Sequence, residues 1–170
     1  MNTREWKEFR VGELFEIKKC KAFNYCDSEE GNYIYITRTA ENNGMTGNIK
    51  LEDNSYLNKR NCITIGGEGI YAFYQQKEFI GGTNITAIYN KNFNKNVCLF
   101  LCTVLNSQAY KYNYGRARNL QKIKDETINL PTTPDNQPDW QFMEDYIKKI
   151  YNKVIEEVKA SAPALLSLSL

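Results

Sequence analysis

Apolar side chains recur among charges from residue 6 to residue 18, at Phe9, Val11, Leu14, Phe15 and Ile17, with Gly12 between them. A long helix would have to carry that glycine in its interior, so the pattern predicts a short strand, a turn and another strand. Residues 32–39 (NYIYITRT) are rich in β-branched and aromatic side chains and predict a buried strand. Asn42-Asn43-Gly44 follows as a tight turn, because Asn and Gly accept positive φ. Three more strands are expected at 62–65, closing on Gly66-Gly67, at 70–75, and at 83–89 after Gly81-Gly82.

Residues 97–105 (VCLFLCTVL) form an apolar run longer than most strands, and the polar residues up to 112 extend it as a helix buried over most of its surface. A β segment at 126–130 leads into Pro131-Thr132-Thr133-Pro134, where two prolines oppose regular structure and mark a boundary. Beyond it Asp139 is placed as a helix N-cap, and Trp140, Met143, Ile147, Ile150, Val154 and Val158 recur at spacings of three and four. That is one apolar stripe on a helix of about five or six turns. The other faces alternate Lys148, Lys149, Lys153 and Lys159 with Glu144, Asp145, Glu156 and Glu157, as beside a coiled-coil seam. A helix packed back on its own domain fits the same stripe. Pro163 is expected to end the helix, leaving the apolar tail 164–170.

The division that follows is a mixed α/β (α+β) domain at 1–134, a helical arm at 135–162 and a tail at 163–170. A length of 170 residues suits one domain plus an appendage. The apolar share of 42% with 25% charge is that of a globular protein. No run approaches the ~20 apolar residues of a membrane span, and the first residues carry no signal-peptide pattern, so a cytoplasmic location is expected. Five cysteines without a CxxC argue for free thiols over a disulfide framework or a zinc site.

Histidine is absent, which excludes an imidazole general base and most nitrogen-ligated metal sites. Adjacent acids such as Glu29-Glu30 and Asp125-Glu126 suggest neither a glycosidase pair nor a two-metal site. Gly66-Gly67-Glu68-Gly69 lacks the spacing of a phosphate-cradling loop. No catalytic site, metal or cofactor is expected in the chain.

The net charge of +2 is small, and its distribution says more than its sum. Residues 109–124 (AYKYNYGRARNLQKIK) carry Lys111, Arg116, Arg118, Lys122 and Lys124 with no acid, interleaved with Tyr110, Tyr112 and Tyr114. Lysine and arginine neutralise phosphates, while arginine, asparagine and glutamine read base edges, so Arg116, Arg118, Asn119 and Gln121 have the side chains of a DNA reader. Basic residues that complement a helix C-terminus and solvate a loop account for the segment equally well. A second polar set lies on turns: Arg38, Thr39, Asn42 and Asn43, then Gln75, Gln76 and Lys77. For Asn42 and Asn43 the turn itself is sufficient reason.

Several segments in order resemble the target-recognition domains of type I restriction-modification specificity subunits. These are Trp6-Lys7-Glu8-Phe9 through Leu14-Phe15-Glu16-Ile17, Tyr35-Ile36-Thr37-Arg38-Thr39-Ala40 with Asn42-Asn43-Gly44, and Gly66-Gly67 with Phe73-Tyr74-Gln75. Tyr112-Asn113-Tyr114-Gly115-Arg116, Ile128-Asn129-Leu130-Pro131 and Pro138-Asp139-Trp140 complete the series. The resemblance implies a recognition domain with a mixed, strongly twisted sheet and a coiled-coil-type helix. It implies that the domain binds half of a bipartite double-stranded DNA target for a partner methyltransferase, which holds S-adenosylmethionine, and for a restriction subunit.

Full-length members carry two such domains and two long helices, so this sequence resembles half a subunit, working as a homodimer or as part of a larger assembly. DNA contacts are expected from Arg116, Arg118, Asn119, Gln121, Lys122, Lys124, Lys111 and Tyr114, with Arg38, Gln75, Gln76 and Lys77 behind them. Trp140, Met143, Ile147, Ile150, Val154 and Val158 would form the helical interface. A non-catalytic protein-interaction module that acts through the helix without reading DNA is the alternative.

Overall fold

The structure, a computed structural model, describes residues 5–24, 28–67, 71–113 and 115–167, with side chains as far as Ser161. Tyr114, Cys26, Glu68, Gly69 and Ile70 lie outside the described residues, as does the end of the tail. The chain begins as expected with strand, turn, strand: β1 (Trp6–Arg10), the single helical turn α1 (Val11–Leu14) and β2 (Glu16–Lys19). β3 (Tyr33–Ile36), β4 (Met45–Ile49), β5 (Leu57–Asn58), β6 (Cys62–Gly66), β7 (Ala72–Gln75), β8 (Phe79–Gly81) and β9 (Ile85–Tyr89) follow. Then come α2 (Lys95–Asn106), α3 (Leu120–Asp125), β10 (Thr127–Pro131) and the long α4 (Trp140–Ser167). This is the mixed α+β domain with a long C-terminal helix that the pattern predicts.

The strands form two four-stranded sheets and one pair. The order β2-β9-β6-β7 is antiparallel throughout. The order β4-β3-β8-β5 is mixed, because β3 runs parallel to β8 and antiparallel to β4. β1 pairs with β10, bringing the two ends of the domain together with Trp6 opposite Pro131. Pro131 ends its strand, where its missing N–H costs the ladder least.

Val11, Phe15, Ile63, Ile65, Ile88, Leu101, Leu105, Ile123, Ile128 and Leu130 fill the main core, between the antiparallel sheet and the helices. α2 is buried over most of its surface but ends at Asn106, earlier than the expected 112, and a separate 3-10 turn follows at Ala109–Lys111. Asn94 caps its start, its side chain accepting from the Val97 amide at 3.0 Å. Cys20, Cys62, Cys98 and Cys102 are buried free thiols.

Asp139 caps α4, its Oδ1 accepting from the Phe142 amide at 2.9 Å. The apolar stripe then divides. Met143 is fully buried in the core, with Trp140 and Ile147 packed against it, whereas Ile150, Val154 and Val158 are 44%, 49% and 62% exposed. The first two turns therefore pack on the domain, a correction to the expectation of a single seam for Met143, whose burial removes it from a partner's reach, while Trp140 and Ile147 are half-buried. α4 also runs past Pro163 to Ser167. A proline removes one i→i−4 bond and crowds one carbonyl, which bends a helix without obliging it to stop. No helix among the described residues is long and apolar enough to cross a membrane.

Candidate nucleic-acid interface

The basic segment is fixed to the antiparallel sheet at one turn. The Gly67 amide donates to the Asn84 carbonyl at 2.9 Å, and the Gly67 carbonyl accepts from the Arg118 amide at 2.7 Å. Side chains would be crowded here: a Cβ on Gly66 would stand 3.0 Å from Cα of Arg38, and one on Gly67 would stand 3.3 Å from the Asn84 carbonyl oxygen. Glycine at 66 and 67 therefore permits the close approach of three chain segments. A cleft of about 350 Å³ opens beside them, lined by Lys19, Gly67, Asn84, Thr86, Ala117, Arg118, Asn119, Leu120 and Gln121.

Arg116 closes a tight turn. Its amide donates to the Asn113 carbonyl at 2.9 Å, and the Asn113 side chain accepts from the Gly115 amide at 3.1 Å. The Arg116 side chain is exposed, and no acid among the described residues pairs with it. Lys122 and Lys124 are exposed on α3. Asn119 caps that helix, its Oδ1 accepting from the Lys122 amide at 3.0 Å, so part of its bonding capacity serves the fold. Gln121 donates to Asp125 Oδ2 at 2.8 Å, one helical turn on. Hydrogen bonds from Gln121 and Arg10 hold the Asp125 carboxyl below its usual range. Lys111 lies 5.9 Å from the ring centre of Tyr110, which is 80% exposed.

Arg118 is a correction. Its side chain is fully buried and paired with the equally buried Glu126, Nη2 to Oε2 at 2.8 Å, so in this conformation it presents nothing to a ligand. Gln75 is a second correction, 3% exposed, with Nε2 donating to Thr64 Oγ1 at 2.9 Å and to the Asn43 carbonyl at 3.1 Å. Both polar groups are buried because each meets a complete set of partners.

The neighbours of Gln75 remain outside. Gln76 and Lys77 are exposed beside the Asn42-Asn43-Gly44 turn, whose residues have φ of 46°, 55° and 79°. Asn43 Nδ2 donates to the Tyr74 carbonyl at 2.9 Å, pinning that turn to β7. Gln75 pairs with Cys62, at the opposite end of β6 from Gly66. The two polar patches are thus roughly 13 Å apart along the strand, at ~3.3 Å per residue. Arg38 lies with the first patch, through its backbone beside Gly66.

Lys19, Asn84 and Thr86 join the first patch although nothing in the sequence marks them. Lys19 and Thr86 are partners in the β2–β9 register. Only knowledge of that pairing would have placed them beside the basic segment.

The family model described as the type I restriction modification DNA specificity domain matches residues 3–160. Over 152 residues the chain is 31% identical to the type II restriction enzyme BgcI specificity subunit S.BcgI of Heyndrickxia coagulans, covering 88% of this chain and 45% of that protein. The fold is similar to the HsdS subunit from Thermoanaerobacter tengcongensis, with a TM-score of 0.62 and 15% identity over 92% of this chain and 40% of that one. It is also similar to the type I restriction-modification S subunit from M. genitalium, with a TM-score of 0.62 and 16% identity over 96% and 43% of the two chains. The chain spans less than half the length of each of these relatives. With a family match running over most of its sequence, the chain belongs to the type I restriction modification DNA specificity domain family.

Proposed function

We propose that this chain reads one half-site of a bipartite duplex DNA target for a restriction-modification system and carries no chemistry of its own. The observation that carries this reading is the docking of the acid-free segment 109–124, with Arg116, Lys122 and Lys124 exposed on it, against the Gly67 turn, where exposed Lys19 lines the same cleft, in a member of a DNA specificity family. The lysines neutralise phosphates and set the position on the duplex, while Arg116 has the forked donors that read guanine in the major groove. Gln76 and Lys77, roughly 13 Å along the strand at ~3.3 Å per residue, supply a second contact to the same duplex.

In this reading the globular part, 1–134, supplies sequence preference, and the arm, 135–162, with the tail at 163–170, sets the distance to the second half-site. The exposed Ile150, Val154 and Val158 support pairing of the arm with another helix, in a homodimer or a larger assembly. A partner methyltransferase holding S-adenosylmethionine would flip the target base out of the stack and modify it, and a restriction subunit would join the same complex in the cytoplasm.

Selection from a random-sequence duplex library at two salt concentrations tests the proposal. Enrichment of a motif is expected, with log affinity falling against log salt by about 0.9 for each phosphate contacted. A chain that enriches no motif and binds independently of salt is a protein-interaction module acting through α4.

A further inference from the structure

The Arg118 side chain leaves the exposed basic segment and enters the core. Its exposure is 0% and that of the Glu126 side chain is 1%. Nη2 donates to Glu126 Oε1 at 2.9 Å as well as to Oε2, and Nε donates to Oε2 at 3.1 Å. Nη2 also donates to the Leu105 carbonyl at 3.2 Å, in the last turn of α2. The Tyr112 ring lies 5.2 Å from the guanidinium carbon. The main chain is held as firmly, since the Arg118 amide bonds to Gly67 and the Glu126 carbonyl accepts from Val11 at 2.8 Å. Arg118 and Glu126 together tie α2, α1, the start of β10 and the Gly67 turn to the segment that carries Arg116 and Lys122.

Stability alone is a weak reason for such a pair. The cost of desolvating two charges roughly offsets their attraction, and apolar replacements of similar volume are often neutral or stabilising. What the pair supplies is direction. A planar fork of donors against a carboxylate admits one arrangement, and any other leaves a buried charge unpaired. Arg116 stands two residues away, about 7 Å of extended chain, so this anchor sets where its guanidinium can go. Base edges demand that placement, whereas phosphate contacts tolerate a looser one.

We propose that Arg118 is a positioning residue for DNA discrimination: its ion pair with Glu126 fixes the path of residues 115–122, so that preference for the target depends on it and general affinity for duplex does not. The proposal rests on the DNA-reading function above.

The test uses the full chain with Arg118→Met and Glu126→Leu together, which removes both charges and strands neither. The probes are the motif that the wild-type chain selects from a random duplex library and a scrambled duplex of the same length. The target-to-scrambled affinity ratio is expected to fall at least about tenfold while scrambled-duplex binding stays within about twofold, a loss of specific contacts alone. Amide exchange is expected to accelerate in residues 115–122. Arg118→Lys, which keeps the charge without the fork, is expected to lose part of the ratio. An unchanged ratio in a folded double variant, or an equal loss on both duplexes, overturns the proposal. If the double variant does not fold, an unchanged ratio in Arg118→Lys overturns it. Failure of both variants to fold makes the pair a stability element and overturns it also. A wild-type chain that selects no motif overturns the DNA-reading function itself, and this proposal with it.

Discussion

Gln75 and Thr64 meet across neighbouring strands of the antiparallel sheet, the amide of one donating to the hydroxyl of the other at 2.9 Å in a fully buried contact. The same amide donates to the Asn43 carbonyl, so one side chain closes the sheet and holds the Asn42-Asn43-Gly44 turn. Gln75→Leu leaves the buried Thr64 hydroxyl and the part-buried Asn43 carbonyl without their donor. Such a loss costs about 1–3 kcal/mol, to be read as a lower midpoint in urea. Lys77→Ala, two residues on and exposed, is expected to leave the midpoint unchanged and to reduce the salt slope of DNA binding by about one phosphate contact.

Arg116 and Arg118 make opposite predictions from positions two residues apart in one basic segment. Arg116→Ala removes an exposed side chain and is expected to leave stability within about 0.5 kcal/mol. If Arg116 reads a base edge, duplex affinity falls by about 1–3 kcal/mol, measured by fluorescence anisotropy. Glu126→Ala strands the Arg118 charge in the core and is expected to destabilise the fold by about 3–5 kcal/mol, measured by thermal or denaturant melting.

The contrast shows how far the sequence was legible. β-branched strands such as Ile85–Tyr89, the turns with positive φ, the Asp139 cap and the α4 stripe all rest on local patterns, and each is present. Leu57–Asn58 and Phe79–Gly81 are only two and three residues long, and Met45–Ile49 is interrupted by polar residues and glycine; they exist because β3 and its neighbours pair with them. α3 escaped notice because its six residues, Leu120–Asp125, were read only as charge. Arg118 escaped for a related reason. A charge is placed outside by default, and its burial depends on Glu126, eight residues on, being aimed into the same space. The partner could be named from the sequence only after the helix α3 between them was known.

The buried thiols set a limit on alkaline stability. Burial pushes Cys20 and Cys102 from 9.0 up to about 12, and burial pushes Cys62 there as well, with the nearby Cys20 thiol adding to the shift. Burial raises Cys98 further. These groups stay protonated in the folded chain while the unfolded chain loses their protons near pH 9, so the unfolded state binds fewer protons and stability falls as pH rises. The denaturation midpoint is expected to be flat with respect to these thiols below about pH 8 and to decline above about pH 9. In the native state at neutral pH the four thiols are expected to resist alkylation until the chain is unfolded, which intact mass after a timed iodoacetamide pulse measures.

The divided stripe of α4 separates folding from association. Met143 is fully buried against the domain core, and Met143→Ala is expected to destabilise the chain by about 2–5 kcal/mol, because it leaves a cavity between α2 and α4. Ile150, Val154 and Val158 are about half exposed or more, so Val154→Ser with Val158→Ser removes little that the isolated chain buries. Melting of the double variant at low concentration is expected to match the wild type. If the outer stripe pairs with another helix, sedimentation of the wild type at rising concentration shows a dimer that the variant lacks, and DNA containing two half-sites loses its advantage over DNA containing one. A monomeric wild type at every concentration would assign the outer half of the arm to a different chain, and the same substitutions would then weaken the complex with that partner while leaving self-association at zero.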